Sequence, residues 1–357
     1  MAKSPRAEPF QLGDVSVAPG TRERVQLDVG TYLTSESLRL AVHVLHGRRP
    51  GPVTLVTAAI HGDETNGTEI VRRLLRERRL KRLAGTLLAI PIVNRPGFVT
   101  RSRYMPDRRD LNRLFPGSPT GSLGSRLAKV LIDEVVKRAD VVIDLHTGAV
   151  NRPNLPQLRI SPGRSAELEL ARVFAPPVIL AGEPREGTFR HACRALGKTC
   201  LLYEAGEALR LDTPAIRFGV QGVLSVLRQL QMLRGKSPIR RLPLVCSRSF
   251  WERAPAGGIF TPLVSLGRAV EAGTQLGFVA DPHGTGDTPV LASRPGLLIG
   301  RTNDAAADEG DGLFHLASLE GIDQAESRIA RTAENLPSAH DDEDDHPVPY
   351  DSLNDTI

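Results

Sequence analysis

The chain has 357 residues, of which 40% are hydrophobic and 24% charged, so it is long enough for two domains and apolar enough to fill a core. No stretch approaches the roughly 20 apolar residues of a membrane span, and Met1-Ala2-Lys3-Ser4-Pro5-Arg6 lacks the apolar centre of a signal peptide; no membrane partner is expected, and a cytoplasmic location is the default. The formal charge of +5 conceals a split, because residues 336–357 hold seven acids and no Lys or Arg, leaving 46 basic against 34 acidic residues, or +12, elsewhere.

In chain order, residues 24–27 and 38–45 read as edge strands, 53–60 as a strand, 65–79 as a helix, 86–93 as a strand, and 125–138 as a helix leading into a strand at 141–145. Further strands are predicted at 157–160, 178–181 and 199–203, with a long helix at about 214–233. Alternation of this kind predicts an α/β sheet covered on both faces. Arg72, Arg73, Arg76, Arg78 and Arg79 fall among leucines at helical spacing and read as a solvated face. With 4% aromatic residues and no aromatic–basic interleaving, the basic excess does not point to nucleic acid and fits the steering of small anionic substrates.

From Leu244 the character changes. Short apolar runs alternate with Gly and Pro, as in Gly257-Gly258-Ile259-Phe260 and Pro295-Gly296-Leu297-Leu298-Ile299-Gly300, which predicts a compact β domain of hairpins and tight turns. The glycine-turn pattern resembles the sandwich of biotinyl and lipoyl carrier domains, without the lysine that would carry a cofactor. After residue 321 periodicity is lost and acids accumulate, the composition of a disordered tail. The expected division is therefore 1–240, 241–320 and 321–357. Cys193, Cys200 and Cys246 are scattered and suggest neither a disulfide framework nor a metal cluster.

Two motifs carry chemistry. The apolar run Thr54 to Ile60 ends in His61-Gly62-Asp63-Glu64, and Val141-Val142-Ile143 ends in Asp144-Leu145-His146-Thr147-Gly148. Both fall where an open sheet presents ligands, at the carboxyl ends of its strands. His61, Glu64 and His146 supply the imidazole and carboxylate donors that zinc accepts in catalytic sites, where three protein ligands leave a further position open. The alternative is that His61 caps a loop, Glu64 opens the next helix and His146 is unrelated to either.

Between them come Asn94-Arg95-Pro96-Gly97, Arg103-Tyr104 and Asp110-Leu111-Asn112-Arg113-Leu114-Phe115-Pro116-Gly117, and after them Tyr203-Glu204-Ala205-Gly206-Glu207. In this order the motifs, over roughly residues 50 to 235, resemble the succinylglutamate desuccinylase and aspartoacylase family of zinc-dependent deacylases, relatives of the zinc carboxypeptidases. The resemblance implies a zinc-carboxypeptidase-like mixed sheet flanked by helices, with the smaller C-terminal all-β region appended. It implies one Zn2+ held by His61, Glu64 and His146, with Glu204 as general base and acid. Arg103 matches the arginine directed at the scissile carbonyl. Asn112 and Arg113 match the pair that grips a substrate carboxylate, a task suited to a planar guanidinium. Asp110 is placed like the aspartate that orients a histidine ligand, while Asp63 and Asp144 could orient ligands, cap turns, or do both. Arg194 stands ten residues before Glu204, the spacing of a further substrate arginine in aspartoacylases.

The stretch Pro106-Asp107-Arg108-Arg109 looks about two residues longer than in aspartoacylases, and the tyrosine that their C-terminal part contributes has no evident counterpart. The expected activity is hydrolysis of the amide bond of a small anionic N-acyl amino acid, by a chain compatible with homo-oligomer formation. A carboxypeptidase-like peptidase is the rival within the enzyme class. A binding module that lost its chemistry is the rival outside it, and retention of His61, Glu64, Arg103, His146 and Glu204 argues against it.

Overall fold

The computed structural model describes residues 6–235 and 243–319. The acidic stretch expected to form a tail, and the boundary expected at 240/241, lie outside the described residues. The elements are β1 (Phe10–Leu12), β2 (Val15–Val17), β3 (Thr21–Thr31), β4 (Ser37–His46), β5 (Arg49–Ala58), α1 (Thr65–Leu75), β6 (Ala84–Ile90), α2 (Arg95–Thr100), α3 (Leu123–Val130), β7 (Val141–Gly148), β8 (Asn154–Ile160), α4 (Ser165–Phe174), β9 (Val178–Ala181), α5 (Phe189–Ala195), β10 (Thr199–Glu207) and α6 (Thr213–Gln229). There follow β11 (Leu244–Cys246), β12 (Ser249–Arg253), β13 (Gly258–Pro262), β14 (Ala269–Val270), β15 (Gln275–Ala280), β16 (Asp287–Leu291), β17 (Gly296–Arg301), β18 (Ala306–Ala307) and β19 (Gly312–Ser318).

The central sheet runs β3-β4-β6-β5-β7-β10-β8, and β9 and β11 extend it beyond β8. Strands β6, β5, β7 and β10 are mutually parallel, while β8 runs antiparallel to β10. Those four strands carry nearly continuous apolar runs because both faces are covered, whereas β3 alternates buried and exposed residues as a strand with one wet face does. One face buries Ile70, Leu74, Phe174 and Leu227 of α1, α4 and α6 against Val56, Ile143 and Tyr203. The other buries Leu127 and Ala128 of α3 and Phe189 and Cys193 of α5 against Leu55, Val142 and Cys200. A fully buried side chain of this size contributes about 1.5–3 kcal/mol by removal from water, so these two layers hold the strand ends that carry the motifs.

Several predicted boundaries shift for local reasons. The helix expected to reach residue 79 stops at Leu75; the Glu77 carboxylate accepts from the Arg79 backbone N–H and opens a separate 3-10 turn, Arg78–Arg82. On α1 the guanidinium groups of Arg72 and Arg73 pair with Glu69, as a solvated face allows. The helix expected at 125–138 begins at Leu123, capped by Ser122, and passes through a π turn, Leu131–Val135, before a final 3-10 turn. An N-terminal hairpin of β1 and β2 precedes the first strand expected from the sequence.

The C-terminal β region is less separate than its composition suggests. A small sheet of β16, β15, β13 and β18 forms part of it, but β12, β19 and β17 belong to the central sheet, which β17 joins through the pair Gly300 and Asn154 at the start of β8. Strand β11 pairs in parallel with β9. Among the described residues no helix is long and apolar enough to cross a membrane.

Candidate metal centre

The carboxyl ends of β5 and β7, adjacent and parallel, bring the two motifs together. His61, Glu64 and His146 are all buried, and one potential ligand atom from each lies within 4.8 Å of the others. Glu64 sits at the N-cap of α1, three residues beyond His61 and just past the strand end. Its Oε1 faces His61 Nδ1 at 2.7 Å and its Oε2 faces His146 Nδ1 at 2.8 Å. The outer ring nitrogens also meet carboxylates: His61 Nε2 lies 3.1 Å from Asp110 Oδ1, and His146 Nε2 lies 2.8 Å from Asp144 Oδ2. Each ring therefore has a carboxylate at both nitrogens, sharing Glu64 on the inner side and meeting its own aspartate on the outer side.

The electrostatics agree. Burial alone would lower the pKa of both rings, but Glu64 with Asp110 at His61, and Asp144 with Glu64 at His146, outweigh it and raise both above the ordinary histidine value. Burial would raise the Glu64 and Asp110 carboxyls, yet the adjacent imidazoles hold both well below the usual carboxylate range.

This donor set fits a divalent ion. Two Nδ1 atoms and a carboxylate converge at one point, and each histidine is fixed by a carboxylate on its far side, the arrangement that orients metal-binding imidazoles. Asp144 is itself held, accepting from Thr57 Oγ1 at 2.8 Å. Asp63 takes no comparable part; its Oδ1 is buried without a hydrogen-bond partner among the described residues, and burial raises its carboxyl pKa.

Arg103 reaches the same cluster, with Nη1 3.5 Å from Glu64 Oε1 and Nη2 3.1 Å from Asp110 Oδ2. Asp110 is therefore shared by His61, Arg103 and the backbone N–H of Asn112, which donates to it at 2.8 Å. Asn112 is buried, its Oδ1 accepting from the Phe189 N–H at the start of α5, and Arg113 Nη1 donates to the Asn112 carbonyl. Glu204 on β10 pairs in register with His146 on β7, so both side chains lie on one face of the sheet. Its Oε2 accepts from Asn154 Nδ2 at 2.6 Å and its Oε1 lies 3.4 Å from Arg159 Nε. Arg194, by contrast, pairs with the exposed Glu183, and none of the cluster residues is among its contacts.

Reasoning from sequence did not single out Asn154 or Arg159. Both come from β8, whose antiparallel register with β10 sets Gln157 opposite Glu204 and Arg159 opposite Leu202. The only signal would have been strict alternation from Asn154 to Ile160, which Pro156 obscures.

Residues 50–230 match the family model described as the succinylglutamate desuccinylase/aspartoacylase catalytic domain. An N-alpha-acetyl-L-2,4-diaminobutyric acid deacetylase of Halomonas elongata is 27% identical over 286 residues, covering 76% of this chain and 84% of that protein. The fold is shared with a succinylglutamate desuccinylase from a Silicibacter species (TM-score 0.75, 25% identity, 89% of this chain and 100% of that one). It is shared too with the product-bound ectoine utilization protein EutE (DoeB) of Ruegeria pomeroyi (TM-score 0.76, 23% identity, 89% and 100%).

Proposed function

The chain belongs to the succinylglutamate desuccinylase/aspartoacylase family of deacylases, and from that membership and the cluster at the strand ends we propose that it is a zinc-dependent hydrolase of small N-acyl amino acids. The observation that carries the reading is the convergence of His61 Nδ1 and His146 Nδ1 on Glu64, with Asp110 and Asp144 behind the rings. His61, Glu64 and His146 would hold the ion. Two imidazoles favour zinc over magnesium. When bound, such an ion supplies Lewis acidity toward a carbonyl and makes water more acidic.

The protein's own groups supply the rest. Glu204, on the His146 side of the cluster, takes the proton of the attacking water and returns it to the departing amine. Arg103, braced by Asp110 and Glu64, stabilises the negative charge that develops on the carbonyl oxygen, an effect of a few kcal/mol in comparable oxyanion sites. Asn112 and Arg113 grip the carboxylate of the amino acid. Arg194 would have to exchange Glu183 for a substrate carboxylate to join them.

A panel of N-acetyl and N-succinyl amino acids, including acetyl-2,4-diaminobutyrate, acetylaspartate and succinylglutamate, is the direct test alongside short peptides. Zinc-loaded protein should release the free amino acid from at least one N-acyl compound. Cleavage of peptides alone would transfer the assignment to a carboxypeptidase-like activity.

A further inference from the structure

The side chain of Asn154 is packed between two segments that a role in strand pairing does not require. Built on Gly148, two residues after His146 on β7, a Cβ would lie 3.3 Å from Asn154 Nδ2. Built on Gly300 of β17, a Cβ would lie 2.7 Å from Asn154 Oδ1, closer than real Cβ contacts allow. Glycine at 300 is thus what lets the C-terminal β region close onto this amide. An ionised carboxylate accepts and cannot donate, so Asn154 turns Nδ2 toward Glu204, at 2.6 Å, and leaves Oδ1 over Gly300.

The contact is built in depth. Gly300 pairs with Asn154, the Arg301 N–H donates to the Pro153 carbonyl at 3.4 Å, and the Asn303 N–H donates to the Asn151 carbonyl at 2.6 Å. Residues 151–154 are therefore laid along residues 300–303. From the same segment Asn303 Nδ2 donates to Glu207 Oε2 at 3.3 Å, on the strand that carries Glu204. That strand needs a support, because its register with both neighbours shifts immediately after Glu204, where Gly206 takes a φ of +70°. Glu204 sits at the last regular position of β10, and Asn154 makes a shorter contact with its carboxylate, at 2.6 Å, than Arg159 does at 3.4 Å.

We infer that Asn154 is a positioning residue for Glu204, and that the C-terminal β region acts in turnover by clamping this amide through Gly300. The inference rests on the assignment of Glu204 as general base. The short, charge-assisted hydrogen bond from Asn154 fixes Oε2, and Oε1, with Arg159 Nε at a looser 3.4 Å, is the oxygen presented to the proton it must move. Its backbone neighbours hold the strand; Asn154 holds the rotamer.

Steady-state kinetics on the full-length, zinc-loaded enzyme test this through a double-mutant cycle. Asn154→Ala should lower kcat about ten- to a hundred-fold, the range expected for one hydrogen bond to a charged group, with KM and metal content kept. Asn154→Asp, which sets a carboxylate against a carboxylate, should be more damaging than Ala although it is closer in shape. In a Glu204→Gln background Asn154→Ala should cost less than about twofold, since a residue acting through Glu204 has nothing left to position. Gly300→Ala should reproduce the kcat loss alone and add little to Asn154→Ala. Equal losses in both backgrounds, or an Asp variant as active as Ala, would overturn the inference while leaving the deacylase assignment intact. Failure of the wild-type enzyme to turn over any N-acyl amino acid would remove both.

Discussion

Asp144 stands two residues before His146 on the same face of β7 and meets its Nε2 at 2.8 Å, so the proposed ligand and the group that orients it come from one strand. The spacing makes the pair rigid, because strand geometry fixes i and i+2 side chains side by side. Asp144 is completely buried and also accepts from Thr57 on β5. Asp144→Asn should therefore retain the fold and the three ligands while weakening zinc binding by about 10- to 100-fold, the usual effect of removing such a partner. Competition with a chromophoric chelator measures it. His146→Ala should go further and leave the purified chain without an ion, whereas the wild-type chain should carry about one; full occupancy of the Ala variant would displace the metal assignment.

Replacement of Glu204 by Gln keeps the side chain's size and removes its basicity. Metal content should be unchanged and kcat should fall by about a hundred-fold or more, because the proton of the attacking water and that of the departing amine both lose their carrier. Turnover near the wild-type rate, with zinc confirmed by atomic absorption, would exclude Glu204 as the base.

Arg113 offers a different signature. Its Nη1 is tied to the Asn112 carbonyl, and its backbone carbonyl lies where a Cβ on Gly187 would meet it at 3.0 Å, so the residue is anchored against the loop before α5. Arg113→Ala should mainly raise KM if the guanidinium holds the substrate carboxylate equally in ground and transition states. Separate measurement of kcat and KM on the best substrate of the panel decides it; a loss confined to kcat would mean that Arg113 orients the amide.

The C-terminal β region carries its own pH sensitivity. His315 is buried, stacked flat on Trp251 with ring centroids 4.7 Å apart, and burial together with nearby Arg159 lowers its pKa to about 3. In the unfolded chain it takes up a proton near pH 6.5, whereas in the folded chain it resists until about 3. Between those values the unfolded state binds more protons, so stability falls as pH falls through that window, by at most about 5 kcal/mol from this residue. His315→Phe keeps an aromatic ring over Trp251 and should flatten the decline between about pH 6.5 and 4 in urea titrations. Parallel slopes for the two proteins would show that His315 contributes nothing to it.

Much of this arrangement was readable in the chain. The strands β5, β7 and β10 announce themselves as apolar runs because they are buried on both faces, and His61 and His146 follow from where the first two end, while Glu204 at the end of the third is singled out only by the family resemblance. Asp144 and Asp63 were equally near a ligand in sequence; only strand geometry separates them, giving the first a histidine and the second a buried oxygen without a partner among the described residues. Asn154 was not readable at all. Its relation to Glu204 depends on the antiparallel return of β8 through residues 149–153, and its relation to Gly300 on pairing between segments far apart in the chain. Local composition carries no trace of such pairings. For the same reason the glycine-rich C-terminal stretch reads as a free-standing unit, although β17 and β11 are hydrogen-bonded to β8 and β9.

Those two seams limit how the gene can be cut. A fragment ending near residue 240 would leave the backbone amides and carbonyls of β9 that face β11, and those of Asn154 that face β17, without partners, and open sheet edges invite association between chains. Expression of the first 240 residues alone should give a poorly soluble protein, and a chimera that exchanges the C-terminal part must preserve the backbone pairing at residues 154 and 244–246 before any question of catalysis arises.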